Sequence, residues 1–263
     1  LTTLLVDVGN TRLKWRLLDD NADSADGALE HDGLEGSDRA RMALSEAWHP
    51  LGAPQNLVYA SVASDTASAA LESVARSLFP QISMSRIRSG ATLGAISNGY
   101  RDPTRLGVDR LIAMVAARAL IPTGALLVIG IGTATTVDLI NAEHRFIGGN
   151  ILPGPAMMTR ALYYGTAALP MVQLEPGGSA DFATDTQSAI SAGVINAQAG
   201  AIERLYALAR KSHPKLGCVI GGGGGRAVAA YLSFQAELAD NLVLDGLEVL
   251  AGQKTALRTP AVS

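Results

Sequence analysis

The chain has little of what several common designs require. It holds a single cysteine, Cys218, which excludes a disulfide framework and a thiolate metal cage. That residue sits in the apolar run Leu216-Gly217-Cys218-Val219-Ile220 and reads as a small buried strand residue. Charged side chains are scarce at 17% and the formal net charge is −3. With no basic stripe, no nucleic-acid partner is expected. No apolar run reaches the length of a membrane span, so no membrane partner is expected either. The opening run Leu4-Leu5-Val6 lacks a basic flank and meets Asp7 at once, so it does not read as a signal peptide; the expected compartment is the cytoplasm. His31, His49, His144 and His213 are scattered without ligand spacing, which speaks against zinc. There is no Gly-x-Ser-x-Gly elbow for serine hydrolysis and no Gly-Lys-Ser/Thr for a Walker loop.

What remains is an apolar chain of 263 residues, 48% hydrophobic, enough for one large or two compact cores. Strand-like and helical runs alternate, which predicts an α/β layer fold. Strands are expected near 4–8, 13–18, 27–31, 56–63 and 81–87, with helices at 39–48 and at 64–78, the latter capped by Ser64 or Thr66. The stretch 19–38 otherwise reads as polar loop, as does 95–110. A helix is expected from Leu111 to Leu120, stopping before Ile121-Pro122. The second half repeats the order. It offers strands at 127–129 and 135–140, a strand at 146–148, a glycine–proline loop at 148–155, and a helix from Ala156. A long helix follows at 187–211, with Ile190, Val194, Ala197, Ala201, Leu205 and Leu208 on its inward face. A strand at 218–220, a helix from Arg226, a strand at 242–244 and a last short helix close the chain. Turn signals at Pro122-Thr123-Gly124 suggest two units, 1–121 and 122–263.

Two glycine hairpins dominate this pattern. Asp7-Val8-Gly9-Asn10-Thr11 and Gly130-Ile131-Gly132-Thr133-Ala134 each join two β-rich runs. A glycine turn before a helix would suggest a dinucleotide fold. A glycine turn between strands instead offers backbone N–H groups and hydroxyls to a phosphate chain. Asp7 ends an apolar strand, where an ionised carboxylate is costly without a partner, and magnesium would supply one. Lys14 would meet a phosphate as a point charge. An ordinary tight hairpin with turn-favouring Asp and Asn is the competing reading. Aligning Gly9 with Gly132 sets Asp7 against Gly130, so the second hairpin has no matching carboxylate. Asp138, further along, reads as the end cap of its strand.

Two further segments invite chemistry. Five consecutive glycines at 221–225 bare the backbone at a strand-to-helix junction, where a flat adenosine could lie; a plain flexible loop is the alternative. In Gly107-Val108-Asp109-Arg110, a carboxylate beside a cation suits proton removal from an alcohol and stabilisation of developing charge. Equally, Asp109 could cap the helix that follows.

Taken together, residues 7–14, Gly107-Val108-Asp109-Arg110, Gly132-Thr133-Ala134-Thr135-Thr136-Val137-Asp138 and Gly148-Gly149-Asn150-Ile151-Leu152-Pro153-Gly154 resemble type III pantothenate kinases, also called the Bvg accessory factor family. The resemblance implies two ribonuclease-H-like lobes of the acetate kinase, sugar kinase and actin superfamily, with a nucleotide cleft between them. It implies a homodimer that phosphorylates pantothenate with ATP and magnesium at the first step of coenzyme A synthesis. Carried over by residue, Asp7, Val8, Gly9, Asn10, Thr11, Arg12, Leu13, Lys14 and Thr133 would hold the nucleotide phosphates, with Asp7 toward the metal. Asp109 would be the general base. Tyr100, Gly107, Val108 and Arg110 would line the acceptor pocket, and Thr186 would reach it across the dimer. Family members commonly carry Asp at the position of Gly130, where it helps bind potassium or ammonium; here either that cation binds elsewhere or the dependence is lost. Two other readings stay open: a nucleotide-binding accessory protein without kinase activity, and a kinase of the same superfamily with another alcohol acceptor.

Overall fold

A computed structural model of the chain describes residues 2–19, 22–30, 38–174 and 180–252, so His31 lies outside the described residues. Strand β1 (Thr3–Val8) folds back into β2 (Arg12–Asp19) and then β3 (Ala22–Glu30). After α1 (Asp38–Trp48), β4 (Asn56–Ser61) lies parallel to β1, and α2 (Asp65–Leu78) leads to β5 (Ser83–Ile87). A two-stranded ribbon, β6 (Thr92–Leu93) and β7 (Ile96–Ser97), precedes α3 (Val108–Leu120). The second sheet follows the same path: β8 (Leu126–Ile131), β9 (Ala134–Ile140) and β10 (Phe146–Pro153), then α4 (Pro155–Gly165) and α5 (Thr186–Ser212). It closes with β11 (Gly217–Gly221), α6 (Gly225–Ala229), β12 (Glu237–Ala239) and α7 (Leu242–Leu250). The strand orders are β3-β2-β1-β4-β5 and β10-β9-β8-β11-β12, one topology used twice. The duplication suggested by the hairpins is therefore present in the fold.

Period-two alternation builds the layers. In β1, Leu4, Val6 and Val8 join the outer core with Leu44, Trp48 and Leu71, while Leu5 faces inward with Val108, Ile112, Leu244 and Leu247. In β8, Leu127, Ile129 and Ile131 pack outward on Ile195 and Ile202, and Leu126 and Val128 pack inward on Leu111 and Met114. Helices α3 and α7 thus form a middle layer between the inner faces of both sheets. The connection at residue 122 runs from α3 to β8.

Several local expectations need correction. β3 begins at Ala22, not 27, because it pairs with β2 through Asp19↔Ala22 and so draws polar residues into the sheet. Helix α3 starts at Val108, which moves Asp109 from a loop into the first helical turn. The glycine–proline segment after Gly148 is strand, since β10 pairs with β9 up to Pro153↔Ala134. Residues 242–244 are the start of α7, and the last strand lies earlier, at β12. On α5 the buried positions are Ile190, Ala192, Val194, Ile195, Gln198, Ala199, Ile202 and Ala209, whereas Ala197 and Leu208 are exposed. The predicted 39–48, 64–78 and 187–211 helices are otherwise in place, and Ser64 caps α2 by accepting from the Ala67 N–H.

Candidate active site

The inner faces of the two sheets meet where both hairpins turn. Asp7 on β1 and Lys14 on β2 are direct cross-strand partners, two residues from the inward Leu5 and Arg16 and so on the same inner face. Burial, and after it the Asp109 charge, raise the Asp7 carboxyl to about 7 against the opposing pull of Lys14. Asp109 answers from the first turn of α3. Its carboxyl is also raised, chiefly by burial, against the Arg110 N–H that donates to Oδ1 at 2.8 Å and the charge of Arg110. Gly107 makes room for that carboxylate, because a Cβ there would stand 2.6 Å from Asp109 Oδ1.

Each hairpin is closed by one backbone bond: Gly9 N–H to Arg12 O and Gly132 N–H to Ala134 O, both 3.0 Å. A Cβ on Gly9 would meet Arg12 O at 2.9 Å, so the tight turn requires glycine. Asn10, Thr11, Arg12 and Thr133 are exposed at the two tips, while Val8 and Leu13 are buried and can offer a ligand only their backbone. The tips touch: the Thr11 and Thr133 hydroxyls share a hydrogen bond of 3.2 Å across 122 residues of sequence. The glycine run folds over the end of β8, with Gly224 N–H donating to Ile131 O at 3.1 Å. Gly222 is left-handed there (φ 89°) and a Cβ would run into the Ile131 backbone, while Gly223 faces open space.

Arg110 turns the opposite way from Asp109, onto the second sheet. Its Nε donates to Asp138 Oδ2 at 3.1 Å, its Nη2 donates to Asp138 Oδ1, and its Nη1 donates to the Tyr100 hydroxyl at 3.1 Å. The guanidinium also lies 5.9 Å from the Tyr100 ring and 5.8 Å from that of Phe146. Burial works against its charge, but Asp138 and Tyr100 outweigh that and keep it protonated. Asp138 is only 2% exposed, so it is no strand cap. Burial raises its carboxyl and the Arg110 bonds oppose the rise. Gly149, opposite Asp138 on β10, leaves the space: a Cβ there would lie 2.6 Å from Arg110 Nη2. Asp138 and Gly149 were missed as site residues, although a carboxylate inside an apolar strand already signals a buried partner. Gln198 was missed too. It accepts from Thr135 Oγ1 at 2.6 Å and donates to Pro153 O at 2.8 Å, tying the second hairpin to α5.

Thr186 stands apart from these residues. It opens α5 and lines a cavity of about 920 Å³ with Pro153, Met158, Leu162 and Ile190. Because α5 packs on the outer face of the second sheet, Thr186 and Asp109 occupy different layers of one chain.

Family comparison fits this geometry. The family model described as type III pantothenate kinase matches residues 3–208. The chain belongs to the type III pantothenate kinase family. A type III pantothenate kinase of Janthinobacterium sp. (strain Marseille) is 40% identical over 255 residues, covering 95% of this chain and 97% of the relative. Among solved structures, a Sinorhizobium meliloti protein named as a 2-dehydro-3-deoxygalactonokinase aligns with a TM-score of 0.60 at 15% identity, over 95% of this chain and 98% of that one. MreB5 of Spiroplasma citri bound to ADP aligns at 0.50 and 12%, over 95% and 96%. These likenesses, at 15% and 12% identity, show the fold alone. For a type III pantothenate kinase, the donors here suit magnesium: carboxylate and hydroxyl oxygens, with no cluster of three or more His, Cys, Asp or Glu among the described residues. Magnesium binds through one or two carboxylates plus phosphate and water rather than in an all-protein cage. Asp7, held near neutrality by burial and a facing carboxylate, is the group that a cation would restore to its charged form.

Proposed function

We infer that the chain transfers the γ-phosphoryl group of ATP to the primary hydroxyl of pantothenate, giving 4′-phosphopantothenate for coenzyme A synthesis. The observation that carries this reading is the meeting of Asp7 and Asp109 beneath two touching glycine hairpins. Asp109 takes the hydroxyl proton as the oxygen attacks the γ-phosphorus and the bond to ADP breaks. Its raised pKa suits the task, since a base works best near the operating pH. The backbone N–H groups at the tip of the first hairpin beyond Gly9, whose own N–H is taken by Arg12 O, hold the phosphates together with the Thr11 and Thr133 hydroxyls and the Lys14 ammonium, with the glycine run beside the adenosine. Magnesium, held at Asp7, would neutralise phosphate charge.

On the acceptor side, Asp138 and Tyr100 fix the Arg110 guanidinium, so its remaining N–H groups are aimed rather than free. Gly107 and Val108 form the backbone wall beside Asp109. Thr186 joins the pocket from a second copy of the chain, because its own Asp109 lies in another layer. The apolar side chains exposed around α4 support a homodimer: Leu162, Tyr163, Tyr164 and Phe182 are 36%, 41%, 78% and 107% exposed. The compartment that goes with this reading is the cytoplasm, where ATP is at hand. Gly130 supplies no carboxylate for potassium or ammonium, so such a cation either binds through other ligands or is not required.

A coupled assay with ATP, magnesium and pantothenate tests the reading, with sugars and acetate as competing acceptors. Turnover of pantothenate that Asp109→Asn abolishes supports it. Nucleotide binding without transfer to any alcohol overturns it in favour of an accessory protein.

A further inference from the structure

Helix α7 lies beyond residue 208, where the family match ends, yet it touches the phosphate hairpin. Lys14 Nζ donates to Asn241 Oδ1 at 2.9 Å, across 227 residues of sequence. An ammonium has only donors, so the amide oxygen must be the atom that faces it. Asn241 is also the N-cap residue of α7, a position where Asn normally accepts from its own helix. Here its side chain makes no capping bond. The contrast within the molecule is sharp, since Ser64 caps α2 and Asp185 caps α5 through their side chains. Asn241 gives up a cap of its own helix to hold a lysine of the other half.

The contact belongs to a larger register. Lys14 and Arg16 are two residues apart on β2 and share its inner face. Asn241, Asp245 and Glu248 are four and three residues apart on α7 and share one helical face. The pairing is ordered: Lys14 meets Asn241, while Arg16 Nη1 donates to Asp245 at 2.8 Å and to Glu248 at 3.0 Å. Arg16 is also held by Asp26. So the structural cation is hydrogen-bonded by three carboxylates, whereas the cation at the cleft, which already feels the charge of Asp7 across the strand pair, is hydrogen-bonded by a neutral amide. An amide can fix the direction of an ammonium without cancelling its charge, leaving two of its N–H bonds for an anion. A carboxylate in the same place would neutralise the lysine and repel a triphosphate.

We propose that Asn241 is a positioning residue that aims the Lys14 ammonium at the nucleotide phosphates, and that its neutrality is the property the site requires. The inference rests on the nucleotide site proposed above. It also gives α7 a function: the helix packs on α3, which carries Asp109, and so couples the phosphate-binding lysine to the general base through one rigid element.

The test compares Asn241→Asp with Asn241→Ala in the full chain, reading magnesium-ATP affinity by calorimetry without pantothenate, the KM values for both substrates, and the thermal midpoint. Asp is a good N-cap and Ala a poor one, so a purely structural role makes Ala the worse variant in every measurement. Positioning predicts opposite orders. Asn241→Asp should keep or raise the thermal midpoint yet weaken ATP binding roughly tenfold, because it pairs the lysine with a competing charge. Asn241→Ala should lower the midpoint but weaken ATP binding only about threefold, the loss of one hydrogen bond. The KM for pantothenate should stay within about twofold in both. Equal ATP affinity in Asn241→Asp and the unmodified chain, or an Ala variant weaker than the Asp variant, overturns the proposal. An unmodified chain that binds ATP but phosphorylates no pantothenate sinks the kinase reading alone, because the calorimetric comparison stands without turnover.

Discussion

The two lobes share one strand order but not one chemistry. Register makes the comparison residue by residue: Val8↔Leu13 and Ile131↔Thr135 are the last pairs of the two hairpins, so Asp7 matches Gly130 and Lys14 matches Thr136. The first lobe places a carboxylate and an ammonium at the cleft. The second places bare backbone, a hydroxyl and, two pairs further back and so on the same inner face, Asp138. On the function proposed above, one scaffold used twice serves phosphate and metal on one side, while on the other it holds Arg110. Asp109 and Arg110, adjacent in the first turn of α3, serve one lobe each.

If that division holds, the largest effect should come from the residue between the lobes. Asp109→Asn keeps shape and removes the proton acceptor, so kcat should fall roughly 10²–10⁴-fold with little change in ATP affinity. Steady-state rates beside nucleotide titration would show it. An active Asp109→Asn enzyme would move the base elsewhere and dissolve the comparison.

Next comes the second lobe's clamp. Asp138→Asn leaves a charged Arg110 buried with a neutral partner, and breaking a buried pair of this kind costs on the order of 3–5 kcal/mol. The thermal midpoint should drop, and the KM for pantothenate should rise roughly tenfold while that for ATP changes little. Equal losses for both substrates would mean that Asp138 only supports the sheet.

Much of this was legible from the chain because it depends on short-range patterns. Glycine between two β-rich runs marked both hairpins, and Asp109 beside Arg110 was readable as a pair of opposite charges at the head of a helix. What stayed hidden depends on register. Asp138 finds Arg110 only once β9 is paired and α3 begins at Val108. Leu242-Val243-Leu244 looks like a strand because a short apolar run has no period of its own, and only the continuation to Leu250 makes it helix. Small residues all around α5 blurred its inward face, so Gln198, buried to hold Thr135, was passed over for Ala197. Asn241 lay outside any pattern that a linear reading could join to Lys14.

The first lobe also predicts a pH signature centred on Asp7. The folded Asp7 carboxyl titrates near 7 and its unfolded form near 3.8, so the folded chain binds the extra proton between them. Its contribution to stability is full below the unfolded value and is lost as pH rises through the folded one. The unfolding free energy of the nucleotide-free protein, read from urea titrations, should therefore fall from pH 4 to pH 8, by a few kcal/mol at most. Asp7→Asn should flatten much of that slope, leaving the smaller part due to Asp109 and Asp138, which shift in the same direction. An unchanged slope would mean that Asp7 is already ionised without a cation.

The smallest effect should come from making the lobes alike. A Cβ on Gly130 would stand 3.0 Å from Thr136 Oγ1, close enough to require the hydroxyl to swing away but not to displace backbone. Gly130→Asp should then fold with a loss of about 1 kcal/mol or less. The added carboxylate needs a partner in a cleft already holding Asp7 and Asp109, and a monovalent cation is the simplest one. Exchanging potassium for sodium at constant ionic strength should leave the unmodified rate within about twofold and make that of Gly130→Asp several-fold dependent on potassium. A strong potassium dependence in the unmodified chain would place the cation on other ligands. It would also show that the second lobe carries charge chemistry that its hairpin register does not reveal.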